Sequence, residues 1–266
     1  MVIDGVVYHV ETYHDDQEKA LVFLHGFTGS TRTWHPLISR FPNCRVVLVD
    51  LLGHGKTESL ADVERYSMDR QVADLHQLFQ RLGLEQPVLV GYSMGGRTAL
   101  AYACTYPDSI SRLVLESASP GLISDEEQAE RRLQDSRLAE RIMDEGIYSF
   151  VGFWEQIPMF RTQKELPAAV RRAVREERLS QDPKGLAGSL VGMGTGAQAS
   201  YWSCLERLSF PVLLLTGIKD EKFSGIAKRM MQCLKSGRHV ELDAGHALHV
   251  EKPAEFATII KKQLNL

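Results

Sequence analysis

Five short runs of near-continuous apolar, largely β-branched residues punctuate the chain: residues 20–25 (ALVFLH), 45–50 (RVVLVD), 87–92 (PVLVGY), 112–116 (RLVLE) and 211–216 (PVLLLT). A strand covered on both faces needs such a run, because neither side of its pleat meets water. Amphipathic segments lie between the runs. Over residues 67–82, Met68, Val72, Leu75, Leu78, Phe79 and Leu82 recur at helical spacing, with Ser67 as N-cap and Gly83 closing the helix. Strand–helix alternation predicts an α/β fold with a mostly parallel sheet sandwiched by helices.

The alternation stops after about Ser117. From Pro120 to roughly Arg207 the pattern is helical and rich in Arg and Glu, and strand–helix order resumes at Pro211. An all-helical block inside an α/β chain predicts a cap inserted over the C-terminal edge of the sheet, where open α/β sheets bind ligands. The expected division is a core of residues 1–117 and 208–266 and a helical cap of residues 118–207. Two glycine clusters are decoys for a phosphate cradle. Residues 192–196 (GMGTG) follow no strand and read as a turn in the cap. Gly55-Lys56-Thr57 mimics the end of a phosphate loop, but Asp50 stands where that motif requires its first glycine.

At 266 residues the chain suits one domain, or one core with an insertion. Its net charge of −3 argues against a nucleic-acid partner, and the basic cluster Arg171, Arg172, Arg175 is interleaved with acids as on a solvated helix face. Cys44, Cys104, Cys204 and Cys233 are scattered without a C-x-x-C pair, and read as reduced, largely buried thiols. The start of the chain lacks the basic and apolar pattern of a signal peptide, and no apolar stretch approaches the length of a membrane span. The expectation is a soluble cytoplasmic protein. Its oligomeric state, monomer or small homo-oligomer, is left open.

Gly91-Tyr92-Ser93-Met94-Gly95 matches G-x-S-x-G, directly after an apolar run and before a helix. The glycines suit a sharp, strained turn with little room for neighbouring side chains. This is the nucleophile elbow of the α/β-hydrolase fold, which the chain resembles. A serine hydroxyl is a weak nucleophile or base until an imidazole takes its proton. In that fold the partners follow in the order acid, then histidine. Asp220 comes after the run at 211–216, and His246 after the strand-like residues 238–242. Glu221 and His249 are the competitors. His246-x-x-His249 also hints at a metal, but no third ligand of fitting spacing accompanies it. His25-Gly26-Phe27 resembles the turn that donates one oxyanion-hole amide, from Phe27, and the second donor is the amide of Met94.

Along essentially its whole length the sequence resembles the 2-succinyl-6-hydroxy-2,4-cyclohexadiene-1-carboxylate synthases, the MenH enzymes of menaquinone biosynthesis. The resemblance rests on residues 25–29 (HGFTG), 49–55 (VDLLGHG), 91–97 (GYSMGGR), 119–122 (SPGL) with Ala129-Glu130-Arg131, Trp154 through Pro158 and Phe160, 217–223 (GIKDEKF) and 245–249 (GHALH). The first, second and last of these are shared with many α/β hydrolases. Arg97, the SPGL…AER segment and Lys222-Phe223 are more particular to the family. Membership implies a lyase that removes pyruvate from a cyclohexene bearing an enolpyruvyl ether, a succinyl arm and a ring carboxylate, with no metal or organic cofactor. It implies that Ser93, Asp220 and His246 form a base, and that a small polycarboxylate meets Arg97, Arg131, Arg178, Tyr92, Trp154 and Phe160; Lys222, next to the triad loop, is a further candidate contact for an anion.

Arg97 lies one helical turn after Ser93, which suits a carboxylate bound at a helix N-terminus. Surface ion pairing is the plain alternative for a cap arginine, simple packing for Trp154 and Phe160, and solvation for Lys222. Two rival functions share these signals: a serine hydrolase (an esterase or carbon–carbon bond hydrolase) and a non-catalytic ligand-binding protein of the same fold.

Overall fold

The computed structural model describes residues 1–264. A two-stranded ribbon of β1 (Val2–Ile3) and β2 (Val6–Val7) precedes a seven-stranded sheet. Its strands are β3 (Val10–Tyr13), β4 (Ala20–Leu24), β5 (Arg45–Val49), β6 (Val88–Tyr92), β7 (Arg112–Glu116), β8 (Val212–Gly217) and β9 (Gly237–Leu242). In space they run β3-β5-β4-β6-β7-β8-β9. All neighbours are parallel except the edge strand β3, which pairs antiparallel with β5. All five apolar runs are strands. The half-buried β3 (VETY) carries no such run, because an edge strand need not be apolar on both faces.

The helices are α1 (His35–Ile38), α2 (Met68–Arg81), α3 (Met94–Thr105), α4 (Asp125–Trp154), α5 (Ala168–Leu179), α6 (Pro183–Met193), α7 (Glu221–Met231), α8 (Leu248–Glu251) and α9 (Pro253–Leu264). Alternate strand residues feed two separate cores. Val22, Leu24, Val47, Val49, Leu113 and Leu115 pack with α2 and α3 residues such as Leu75, Leu78, Phe79 and Leu100. Leu21, Phe23, Val46, Leu48, Val90 and Val114 pack with Trp34, Phe41, Phe256 and Ile260 on the other face. Each such side chain contributes roughly 1.5–3 kcal/mol of burial, which is why the strand runs tolerate no polar alternation.

Between β7 and β8 the described chain is helical or irregular: α4, a 3-10 stretch at Pro158–Glu165, α5, α6 and a 3-10 turn at Trp202–Arg207. Ser124 and Glu127 open α4 with a reciprocal capping box, and Gly146 (φ 77°) kinks it. A small core of Ala139, Ile142, Phe150, Val151, Leu186 and Leu190 holds α4 against α6 and extends to Phe27 of the β4 loop.

The cysteines depart from the expectation of four reduced thiols. Cys104, at the end of α3, and Cys204, in the turn before β8, are joined as a disulfide with Cα atoms 6.0 Å apart across 100 residues. Cys44 and Cys233 are free. The return of the helical segment onto α3 makes this pair, and such a long-range meeting leaves no mark in local spacing. Among the described residues no helix is long and apolar enough to cross a membrane.

Candidate active site

Ser93 stands between β6 and α3 at φ 50° and ψ −107°. The turn closes so tightly that a Cβ on Gly95 would run into the carbonyl oxygen of Leu24, and one on Gly91 into that of Gly95. The sheet register then brings the β4 loop alongside. Leu24 pairs with Gly91, so Phe27 and Met94 each lie three residues beyond a matched position, and both line the same cavity. The Met94 amide opens α3 and so has no acceptor within its own helix.

The strands β8 and β9 end on the same side of the sheet. Asp220 follows β8 as N-cap of α7, and His246 follows β9. His246 Nδ1 lies 2.6 Å from Asp220 Oδ2, and Nε2 lies 3.0 Å from Ser93 Oγ. An ionised carboxylate only accepts, which places the ring proton on Nδ1 and leaves Nε2 to accept from the serine hydroxyl. Three rings box the imidazole: Phe223 at 4.7 Å, Tyr92 at 5.4 Å and Phe160 at 6.2 Å between centroids. His249 is engaged elsewhere. Its backbone N–H and Nδ1 both donate to the buried carboxylate of Glu116, and its ring packs on Trp34 and Tyr92. Burial, then the charge of Glu116, pushes the Tyr92 phenol well above its usual range, so it stays neutral.

The cavity beside Ser93 measures about 430 Å³. Arg97, Arg131, Lys222 and Arg229 stand in its wall, against the carboxylates of Glu127 and Asp135. Asp135 is already taken, accepting from Arg131 Nε at 2.8 Å. Arg97 Nη1 donates to the Met193 carbonyl at 2.8 Å and also to Gln198. These bonds fix the guanidinium one helical turn past Ser93, with its remaining N–H groups uncommitted to these partners. Burial, reinforced by the nearby Arg131, lowers Arg97 to about 10. An anion in the cavity would relieve both effects. Trp154 Nε1 is buried without an acceptor, and its ring packs on Phe27, Phe150 and Phe160. Among the described residues no group of three or more His, Cys, Asp or Glu side chains could hold a metal ion.

Of the residues expected from sequence, Ser93, Asp220 and His246 meet, and Phe27, Met94, Tyr92, Arg97, Arg131, Trp154, Phe160 and Lys222 line the cavity. Arg178 is placed differently. Nearly buried in α5, it lies 4.5 Å from the Phe160 ring centroid, lines a neighbouring cavity rather than the one beside Ser93, and donates to Gln163. Burial lowers its basicity. Phe223 and Arg229 were not anticipated as site residues. Their signal is periodic: Lys222, Phe223, Ile226 and Arg229 recur on one face of α7, which begins at the acid. Arg229 is stacked 4.6 Å from the Trp202 ring centroid, and no carboxylate pairs with it among the described residues.

A family model described as the alpha/beta hydrolase fold matches residues 19–253. A Bacillus subtilis protein provisionally named as a 2-succinyl-6-hydroxy-2,4-cyclohexadiene-1-carboxylate synthase is 44% identical over 99% of this chain and 96% of its own length. The synthase of that name from Salmonella paratyphi C is 34% identical over 93% of this chain and 94% of its own. Among solved structures, MenH from S. aureus superposes with a TM-score of 0.93 at 39% identity, covering 97% of this chain and 98% of that one. A thermophilic esterase from Thermogutta terrifontis, solved with malate bound, gives a TM-score of 0.84 at 27% identity over 98% and 93%.

Proposed function

The chain belongs to the 2-succinyl-6-hydroxy-2,4-cyclohexadiene-1-carboxylate synthase family of the α/β-hydrolase fold, and we propose how its site performs the elimination of pyruvate that gives this product in menaquinone biosynthesis. The substrate is 2-succinyl-5-enolpyruvyl-6-hydroxy-3-cyclohexene-1-carboxylate. Its acidic proton sits on the ring carbon beside the succinyl ketone. Ser93 Oγ, with its own proton passing to His246 Nε2, takes that proton while Asp220 holds the imidazolium. The electron pair flows to the ketone oxygen as a dienolate, then back through the ring as the double bond shifts and the C–O bond to the enolpyruvyl group breaks. Pyruvate leaves as its enolate and recovers a proton. The relay supplies the base, so the step balances without a metal or a redox group.

The amides of Phe27 and Met94 are the proposed donors to the dienolate oxygen, where preorganised dipoles act most strongly. Arg97, Arg131, Lys222 and Arg229, with the unpaired Trp154 N–H, are the proposed contacts for the three carboxylates. Tyr92 and Phe160 shape the wall, and Arg178 packs against Phe160. The residues of the helical segment in this wall, Arg131, Trp154 and Phe160, fit its role as a cap over the core. A small polyanion as substrate fits a cytoplasmic location and calls for neither nucleic acid nor a membrane as partner.

The observation that carries this reading is Arg97. An esterase has no need of a fixed, partly desolvated guanidinium one turn beyond its serine, whereas a tricarboxylate does. The test offers the enzyme the enolpyruvyl substrate and an activated neutral ester in parallel. Pyruvate release with rising diene absorbance is expected, and Ser93→Ala is expected to lower it by several orders of magnitude while ligand binding persists. Fast ester turnover without pyruvate would instead establish the hydrolase that the esterase neighbour represents.

A further inference from the structure

The loop that carries the Phe27 amide is held from two sides. On the sheet side, His25 Nδ1 and Gly29 N both donate to the Gly26 carbonyl, at 2.8 and 3.0 Å. Leu51 N donates to His25 Nε2 at 3.0 Å, and Thr31 N to Asp50 Oδ1 at 2.5 Å. On the opposite side one carboxylate oxygen does comparable work. Oε1 of Glu177, near the end of α5, accepts from Ser30 N at 2.9 Å, Ser30 Oγ at 2.7 Å and Thr33 Oγ1 at 2.8 Å. Glu177 is 9% exposed and Ser30 3%, and they are 147 residues apart in sequence. Burying a carboxylate is costly unless donors meet it, and three donors converge here. A rim ion pair would suffice to dock α5. A buried acceptor aimed at the backbone N–H and capping hydroxyl of Ser30 does more, because charge-assisted bonds to a turn fix its conformation.

That turn also carries backbone strain. Thr28 adopts φ 67°, a left-handed conformation that a β-branched residue rarely takes without outside support. Release of Ser30 would let residues 26–30 relax and carry the Phe27 N–H away from the place where negative charge develops. We propose that Glu177 is a positioning residue of the reaction, a latch by which α5 sets the oxyanion donor at Phe27. The inference rests on the elimination proposed above for the identity of the reaction. Its oxyanion part holds for any chemistry at Ser93.

Three variants and two readouts test it. Glu177→Ala is expected to lower kcat about ten- to a hundredfold, as small misplacements of catalytic groups do, with KM changed less than about threefold. The second readout is binding of butylboronic acid, which forms a bond from boron to Ser93 Oγ, passes the serine proton to His246 and leaves a boronate oxygen in the oxyanion hole. Its affinity is expected to fall by a similar factor in Glu177→Ala. Glu177→Gln, whose amide oxygen still accepts, should recover most of both. Should Glu177→Ala fail to fold, Thr33→Val removes one donor, and a loss of about two- to tenfold in both readouts is expected. A folded Glu177→Ala, or failing that a Thr33→Val, with kcat per folded site and boronate affinity unchanged would overturn the proposal, whatever its melting temperature. A wild-type enzyme that binds the boronate but releases no pyruvate would sink the elimination instead, and the boronate comparison would still decide the role of Glu177.

Discussion

Ser93 at φ 50° is a strained residue in a crowded turn, and such backbone strain costs on the order of 1–3 kcal/mol. The neighbouring glycines let the strain persist, because the backbone of β4 passes where a side chain on residue 95 would sit. Gly95→Ala is therefore expected to destabilise the fold by at least ~1–3 kcal/mol and to abolish labelling of Ser93 by a fluorophosphonate. Full labelling at an unchanged melting temperature would contradict this account of the elbow. Two buried histidines beside the loop that carries Phe27 give a second residue-scale expectation. Burial lowers His25 to about 4 and, with the further effect of His25, lowers His54 to about 3. The unfolded chain binds these protons near pH 6.5 and the folded chain does not. Stability present above about pH 6.5 is thus lost as pH falls toward 4, each histidine adding up to ~1.4 kcal/mol per pH unit. His54→Asn keeps a donor for the Leu52 carbonyl, the hydrogen-bond partner of the ring, and should flatten the slope measured by denaturant unfolding at pH 7, 5.5 and 4.5.

At the scale of elements, α7 carries more of the site than its first residue. Asp220 caps it, Phe223 packs on His246, and Lys222 and Arg229 reach the cavity two turns apart. Exposed cations are worth up to ~1 kcal/mol each, so Arg229→Met is expected to raise KM about two- to fivefold with kcat little changed. The difference should shrink in 0.5 M salt, because the contact lies where solvent screens it. A salt-insensitive defect would mean that Arg229 acts by holding Trp202 in place. The long α4 contributes at both of its ends, Arg131 before the Gly146 kink and Trp154 after it. A kinked helix can present two separate patches to one cavity, which a straight one of thirty residues could not.

Across the whole molecule, the parallel sheet and the elbow were legible because their causes are local. Continuous apolar runs belong to strands buried on both faces, and G-x-S-x-G belongs to a turn that excludes larger neighbours. The order Ser93, Asp220, His246 follows the strand order, so the strand ends pointed to all three residues before any geometry. Only tertiary structure decided the rest. It assigned His249 to Glu116 and set Arg178 against Phe160, and it brought Arg229 to the pocket. It also joined Cys104 to Cys204 and seated Glu177 on the Ser30 turn after β4. These contacts span tens to well over a hundred residues, and they depend on how loops close and helices pack rather than on the identity of near neighbours. A sequence writes its periods and its steric exclusions within a few residues; which distant side chain fills a given space is settled when the whole chain folds.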